Sequence, residues 1–192
     1  MFQKSTEDPN VLFDDNDKLF KSLVVNVGVY GEYGCGKSTS FVLNNTNAVV
    51  LSVDSSREWV KHIKASANGN PHLDLVWVDL GEVGDWGRPL SYKLRDKIPD
   101  YIKSICNRVQ KPELVLIDGR FRVACFLYSL LHAKSGSIIV FDDYINRPKY
   151  HIVEEFVSRQ HTCGRQGVFI VPNDIDRDIV EYELAKFIYV MD

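Results

Sequence analysis

The sequence predicts an α/β protein: an open, doubly wound, mostly parallel sheet with helices on both faces. Three observations carry that reading. Short apolar runs alternate with helix-patterned segments along nearly the whole chain. Several of the runs, such as Leu114-Val115-Leu116-Ile117 and Ile138-Ile139-Val140-Phe141, are apolar at every position, as suits strands covered on both faces. Successive runs also close on an acidic residue: Glu32 just past the first, then Asp54, Asp79, Asp118 and Asp142. In such sheets ligands bind outside the carboxyl ends of the strands, so five carboxylates are expected along one rim.

Residues 1–14 read as a loose, polar lead-in. Asp15 or Asn16 is placed to cap a short helix over 18–23. The first strand is expected over 24–30, followed by a glycine-rich turn and a helix over 37–44. A second strand covers 48–53, and Ser55 or Ser56 caps a helix carrying Trp59, Val60 and Ile63 at helical spacing. Ala67-Asn68-Gly69-Asn70-Pro71 ends that helix. A third strand over 73–78 leads into an irregular segment, 81–89, then a helix over 100–108. The remaining order is strand 114–117, helix 123–133, strand 138–141, helix 149–158, strand 168–171 and helix 176–189. No repeat or linker-like block divides the chain, so its 192 residues read as a single α/β domain.

Composition narrows the function. With 45% hydrophobic and 26% charged residues, the chain is neither disordered nor low-complexity. A net charge of −3 argues against an extended nucleic-acid surface, though not against a local basic pocket. No apolar stretch of about 18 residues is present to span a membrane, and the first residues lack the apolar core of a signal peptide. Cys35, Cys106, Cys125 and Cys163 form no C-x-x-C pair and no histidine is placed with them to suggest a zinc site, so they read as buried or partly buried thiols in a reducing, cytoplasmic compartment.

The turn Gly31-Glu32-Tyr33-Gly34-Cys35-Gly36-Lys37-Ser38-Thr39 admits two readings. As G-x-x-x-x-G-K-[ST] it matches a phosphate-binding P-loop, with Lys37 on the terminal phosphates and Ser38 on Mg²⁺, as in a nucleotide hydrolase or kinase. As E-x-G-x-G it brings backbone close to a nucleoside-bearing cofactor, and Asp54, 18 residues beyond Gly36, falls where an acid meets ribose hydroxyls. The first reading leaves Asp54 and Asp79 without a role and sets Glu32 against a triphosphate. The second lets Glu32 face a cationic ligand end and Asp79 the adenine amino group.

The second reading has a family counterpart. Segments in order, Glu32–Thr39, Ser52-Val53-Asp54 with Arg57-Glu58-Trp59, Trp77-Val78-Asp79-Leu80-Gly81, Gly84-Asp85-Trp86-Gly87, residues 116–125 (containing Asp118-Gly119-Arg120-Phe121-Arg122) and Phe141-Asp142-Asp143-Tyr144, resemble the class I S-adenosylmethionine-dependent methyltransferases, more narrowly a bacterial methyltransferase-like family. The resemblance implies a Rossmann-like fold and S-adenosylmethionine as cofactor. It implies cofactor contacts at Glu32, Gly34, Gly36 and Asp54, with Asp79 at the adenine and Asp118 near the methionine end; Ser55 and Leu80 join the expected cofactor set. Lys37 departs from the pattern, which has a small residue there, and leaves a phosphate-bearing ligand possible. A nucleoside-binding protein of this fold without transferase activity is a third reading.

Methyl transfer to a hydroxyl calls for a base, and Asp118, Asp142 and Asp143 are the candidates. The same three could offer oxygen ligands to a divalent ion, but no histidine or further acid accompanies them and no metal is assigned. Alternatively, Asp142 or Asp143 caps the turn that follows. Arg120 and Arg122 suit an anionic, small or sugar-type acceptor, or else pair with the acids of the same rim. Trp86 belongs to a lid over the acceptor or pins its loop to the core. His62 and His132 read as structural, His151 as near the crevice, and Cys35 as a small residue rather than a nucleophile.

Overall fold

Among the residues described by the computed structural model, 11–13 and 16–192, seven strands form one sheet. They are β1 (Val29–Tyr33), β2 (Val49–Asp54), β3 (Leu73–Trp77), β4 (Leu114–Ile117), β5 (Ile138–Phe141), β6 (His161–Cys163) and β7 (Gln166–Ile170). The spatial order is β3-β2-β1-β4-β5-β7-β6. The first five strands in that order are parallel, and β7 pairs antiparallel with both β5 and β6. The helices are α1 (Lys18–Val24), α2 (Lys37–Asn45), α3 (Arg57–Ala67), α4 (Ile98–Lys103), α5 (Arg122–His132) and α6 (Arg177–Phe187).

Strand alternation divides the core into two layers. Val115, Ile117, Ile139 and Phe141 pack with Tyr101 of α4, Phe126 of α5 and Val180 of α6. Leu114, Leu116 and Val140 face the other way, toward Phe20 of α1 and Val42 of α2. Leu75 carries this second layer on to Val60 and Ile63 of α3. Burial on both faces accounts for the unbroken apolar runs of β4 and β5.

Three local expectations change. The apolar run expected as a strand over 24–30 is divided: Phe20 and Val24 are buried by α1, residues 25–28 connect, and β1 begins at Val29. Glu32 therefore lies inside β1, paired with Ser52 and Leu116, not past its end. The expected helix over 149–158 is a 3-10 helix, Pro148–Glu155, and α4 is shorter than expected, ending at Lys103. The short edge strand β6 has no apolar run to announce it, since His161 and Thr162 are exposed.

Ser56 caps α3 as expected, its Oγ accepting the amide of Trp59 at 3.3 Å. Asp17 stands at the N-cap of α1 instead of Asn16, whose Oδ1 accepts the amide of Lys18 at 3.0 Å, and Asp176 Oδ1 caps α6 through the amide of Ile179 at 3.1 Å. Asp15 and most of the expected lead-in lie outside the described residues.

Candidate active site

A cavity of about 540 Å³, within the usual range for small-molecule sites, opens at the carboxyl ends of β1, β2, β4 and β5. Its floor is the glycine-rich turn. Gly34 takes the left-handed φ of 94° that the turn requires. A Cβ there would lie 2.9 Å from the backbone of Gly119, and one on Gly119 would lie 2.1 Å from Tyr101 Oη. The loops after β1 and β4 thus meet glycine against glycine. A Cβ on Gly36 would meet no atom within 4 Å, so backbone there borders open space.

The turn's amides are engaged within the protein. Gly34 N donates to Val53 O at 2.9 Å, Cys35 N to Asp54 Oδ2 at 2.9 Å and Gly36 N to Thr39 Oγ1 at 2.9 Å. Asp54, on the cavity wall, takes a second amide, Ser56 N, on Oδ1 at 2.6 Å. The Cys35 thiol and the Ser55 amide also act on this carboxylate. Burial pushes the Asp54 carboxyl above the ordinary range, against the pull of these amides.

This geometry overturns two expectations at the turn. Glu32 does not face the cavity: it is 0% exposed and accepts from Tyr30 Oη at 2.9 Å, Ser38 Oγ at 2.8 Å and Thr39 Oγ1. Its position inside β1 directs it beneath α2, where burial raises its pKa. The P-loop reading fails on the same facts. Ser38 and Thr39 hold Glu32, and a phosphate in the turn would meet Asp54 and find these three amides taken. Lys37 Nζ contacts Val11 O at 3.4 Å.

At the opposite end, aspartates and arginines interlock. Asp118 lines the cavity and accepts from Arg122 Nη2 at 3.2 Å. Its carboxyl is raised by burial and by the charges of Asp142 and Asp143, which together outweigh the opposing pull of Arg122. Asp142 is 0% exposed, gripped by Arg165 Nη2 at 2.6 Å and Nε at 3.1 Å and by Gln166 Nε2 at 3.0 Å. Closed off in this way, it cannot serve as the expected base. Asp143, with φ 55°, lines the cavity and pairs with Arg147 at 2.8 Å and with Arg122 and Arg165 at 3.3 Å. The three carboxylates gather within 4.8 Å, with arginines between them. Neither Asp142 nor Asp143 caps the following turn: the amides of Tyr144 and Ile145 donate to Arg165 O.

Arg122 is buried, and its guanidinium also donates to Gly119 O and Asp142 O at 3.0 and 2.8 Å. It lines the cavity, but its donors are committed to these protein acceptors and brace the loops after β4 and β5. Arg120 lines the cavity, and its Nη1 donates to Asp192 O at 2.7 Å.

The chain is similar to a solved structure, a methyltransferase-like protein from Silicibacter pomeroyi DSS-3, with 32% identity over 88% of this chain and 91% of that one and a TM-score of 0.81. The chain belongs to the same methyltransferase-like family. Its fold is also shared with a methyltransferase from Geobacter sulfurreducens (9% identity, 79% and 74% coverage, TM-score 0.53). A further match is N-methyltransferase NodS from Bradyrhizobium japonicum WM9, solved with S-adenosyl-L-homocysteine (9% identity, 88% and 94% coverage, TM-score 0.52). No protein-family model matches the chain, and no curated protein does.

In this methyltransferase fold the segment after β3 departs from expectation. Asp79 is exposed and accepts Gly81 N in a local turn at 2.9 Å, while Leu80 is buried in the core, so neither lines the cavity. Their place is taken by a loop closed by a Val83–Pro89 bridge and stitched down by Ser55 Oγ donating to Gly87 O at 2.7 Å. Trp86, at the tip, is 80% exposed, has the left-handed φ of 58° and borders the cavity. The stitch, not Trp86, pins the loop.

Cys35 is buried and its thiol is driven far up by burial and Asp54, so it is no nucleophile. His151 meets Tyr144 O at 3.2 Å and does not border the cavity. Tyr101, Gly119, Arg147, Arg165 and Asp192 escaped the sequence reading. Only Gly119 carried a signal, inside the Asp-Gly-Arg-Phe-Arg run.

Proposed function

We propose that the protein transfers the methyl group of S-adenosylmethionine to a small-molecule acceptor. The observation that carries this reading is Asp54: fixed by the amides of Cys35 and Ser56, its carboxylate lines the cavity at the carboxyl end of β2, the place where an acid meets the vicinal hydroxyls of a ribose. The open space before Gly36 lets a nucleoside lie close to the backbone. Trp86 and Ser55 border the same end and offer an apolar face and a carbonyl-anchored edge. When bound, the cofactor supplies a methyl on a positively charged sulfur, which keeps the C–S electron pair as the methyl passes to the acceptor.

The protein's own task is alignment and proton removal. Asp118, held by Arg122 and raised by burial to about 8, takes in its ionised form the proton that the acceptor's nucleophilic atom gives up. Asp143 positions Arg122 and Arg147 around it. Titration calorimetry tests the reading: S-adenosylhomocysteine is expected to bind at one site and ATP–Mg²⁺ not at all. Binding of ATP–Mg²⁺ without S-adenosylhomocysteine would overturn it.

A further inference from the structure

We propose that the outward face of α6 is the contact surface of a symmetric dimer, covered by α6 of a second copy of this chain.

The helix is apolar on two sides. Val180 is buried, and Leu184 and Phe187 pack against the core. At about 100° per residue, Ile179, Tyr182 and Lys186 lie along a line on the opposite side, which runs on past the helix end to Tyr189. Tyr182 is 68% exposed and Ile179 55%. Tyr189 and Val190 are exposed as well, and Tyr92, also exposed, joins them by donating its hydroxyl to Tyr189 O at 3.0 Å. Single exposed apolar side chains need no explanation, whereas a contiguous group marks an interaction surface. Among the described residues none of α6 lines the cavity, so ligand binding does not account for the stripe.

The charge pattern selects the occupant. Asp178 stands in the first turn of α6 and Lys186 in the last. When two copies of the helix pair antiparallel with Tyr182 on a two-fold axis, residues equally far from position 182 in sequence meet. Asp178 then faces the partner's Lys186, Ile179 faces the partner's Ala185, and the two Tyr182 rings lie against each other. Each contact occurs twice, as a two-fold axis requires. Lys186 Nζ meets Glu183 at 2.6 Å within its own helix and, with three donors, can serve a second carboxylate. A slip of one turn either way separates both ion pairs, and a parallel arrangement sets like charges together. The face is thus complementary to itself in one orientation and one register. A single helix with short flanks makes a contact at the small end of specific interfaces, which sets the expected affinity in the micromolar range.

Sedimentation velocity of the protein from about 1 to 300 µM tests the proposal, with a dimer of Kd about 10 µM expected. Tyr182→Asp should weaken it about tenfold or more, by opposing two carboxylates on the axis. Asp178→Lys and Lys186→Asp should each weaken it about fivefold. The double variant, with the charges exchanged, should return to within about twofold of wild type. Circular dichroism confirms that the variants fold. A wild type that stays monomeric over this range overturns the proposal and gives the face to a different partner. A dimer indifferent to Tyr182→Asp overturns it by placing the contact elsewhere, as at the edge strand β6. A double variant no better than either single one overturns the antiparallel register on which the choice of occupant rests.

Discussion

At the Asp54 end of the cavity, buried carboxylates are satisfied by neutral donors: two backbone amides on Asp54 and three hydroxyls on Glu32 beneath it. At the Asp118 end, three aspartates are satisfied by the guanidiniums of Arg122, Arg147 and Arg165. Neutral donors fix a carboxylate without cancelling its appetite for hydroxyl groups, which suits a sugar. Interlocked ions hold charge at the end proposed for proton removal, and their strength depends on staying paired. The two ends should therefore fail differently when disturbed.

The sharpest contrast is Arg165→Met. It leaves Asp142 buried and without its bidentate partner, so urea denaturation should show a loss of about 3 to 5 kcal/mol. A loss under about 1 kcal/mol would erase the distinction between the ends. Asp54→Ala should weaken S-adenosylhomocysteine about a hundredfold, since two charge-assisted bonds to the ribose vanish. Lys37→Ala should change the same titration by less than about threefold. Glu32→Gln should cost about 1 to 3 kcal/mol of stability by unseating hydroxyls under α2, yet leave ligand affinity of the folded protein near wild type. A collapse of affinity with intact stability would return Glu32 to the cavity.

Trp86→Ala reverses that signature. The side chain is exposed, so stability should shift within about 0.5 kcal/mol, while S-adenosylhomocysteine binding weakens about threefold. A separate test is the pH dependence of stability. Asp118 keeps its proton to higher pH when folded than when unfolded, so folding binds a proton between the ordinary carboxylate value of about 4 and its raised value. The contribution of this group to stability therefore falls as pH rises through that window. Asp118→Asn should flatten that slope; an unchanged slope would show that Asp118 is not the group responsible.

Much of the sheet was legible because β4 and β5 are covered on both faces and write that into unbroken apolar runs. The errors share a cause. Phe20-Lys21-Ser22-Leu23-Val24 belongs to a helix, yet its apolar end merges into the following valines and displaced the first strand. That displacement set Glu32 beyond the strand and gave it a ligand. The antiparallel β6 is a partly exposed edge and has no comparable pattern. At the site, Asp54, Asp118 and Arg120 were readable as residues immediately at or after strand ends. Tyr101 reaches the cavity from α4 and Arg165 from the turn between β6 and β7, while Asp192, from beyond α6, meets Arg120 and Arg122, contacts between distant segments that local spacing does not encode. Lys37-Ser38-Thr39 shows the opposite hazard: a motif literal in sequence whose hydroxyls serve a buried glutamate.

A crystal structure of the protein grown with S-adenosylhomocysteine tests the central claim most directly. Both ribose hydroxyls should lie within hydrogen-bonding distance of the Asp54 carboxylate, with the sulfur toward Asp118. A ribose turned away from Asp54, or a ligand bound outside this cavity, would contradict the account.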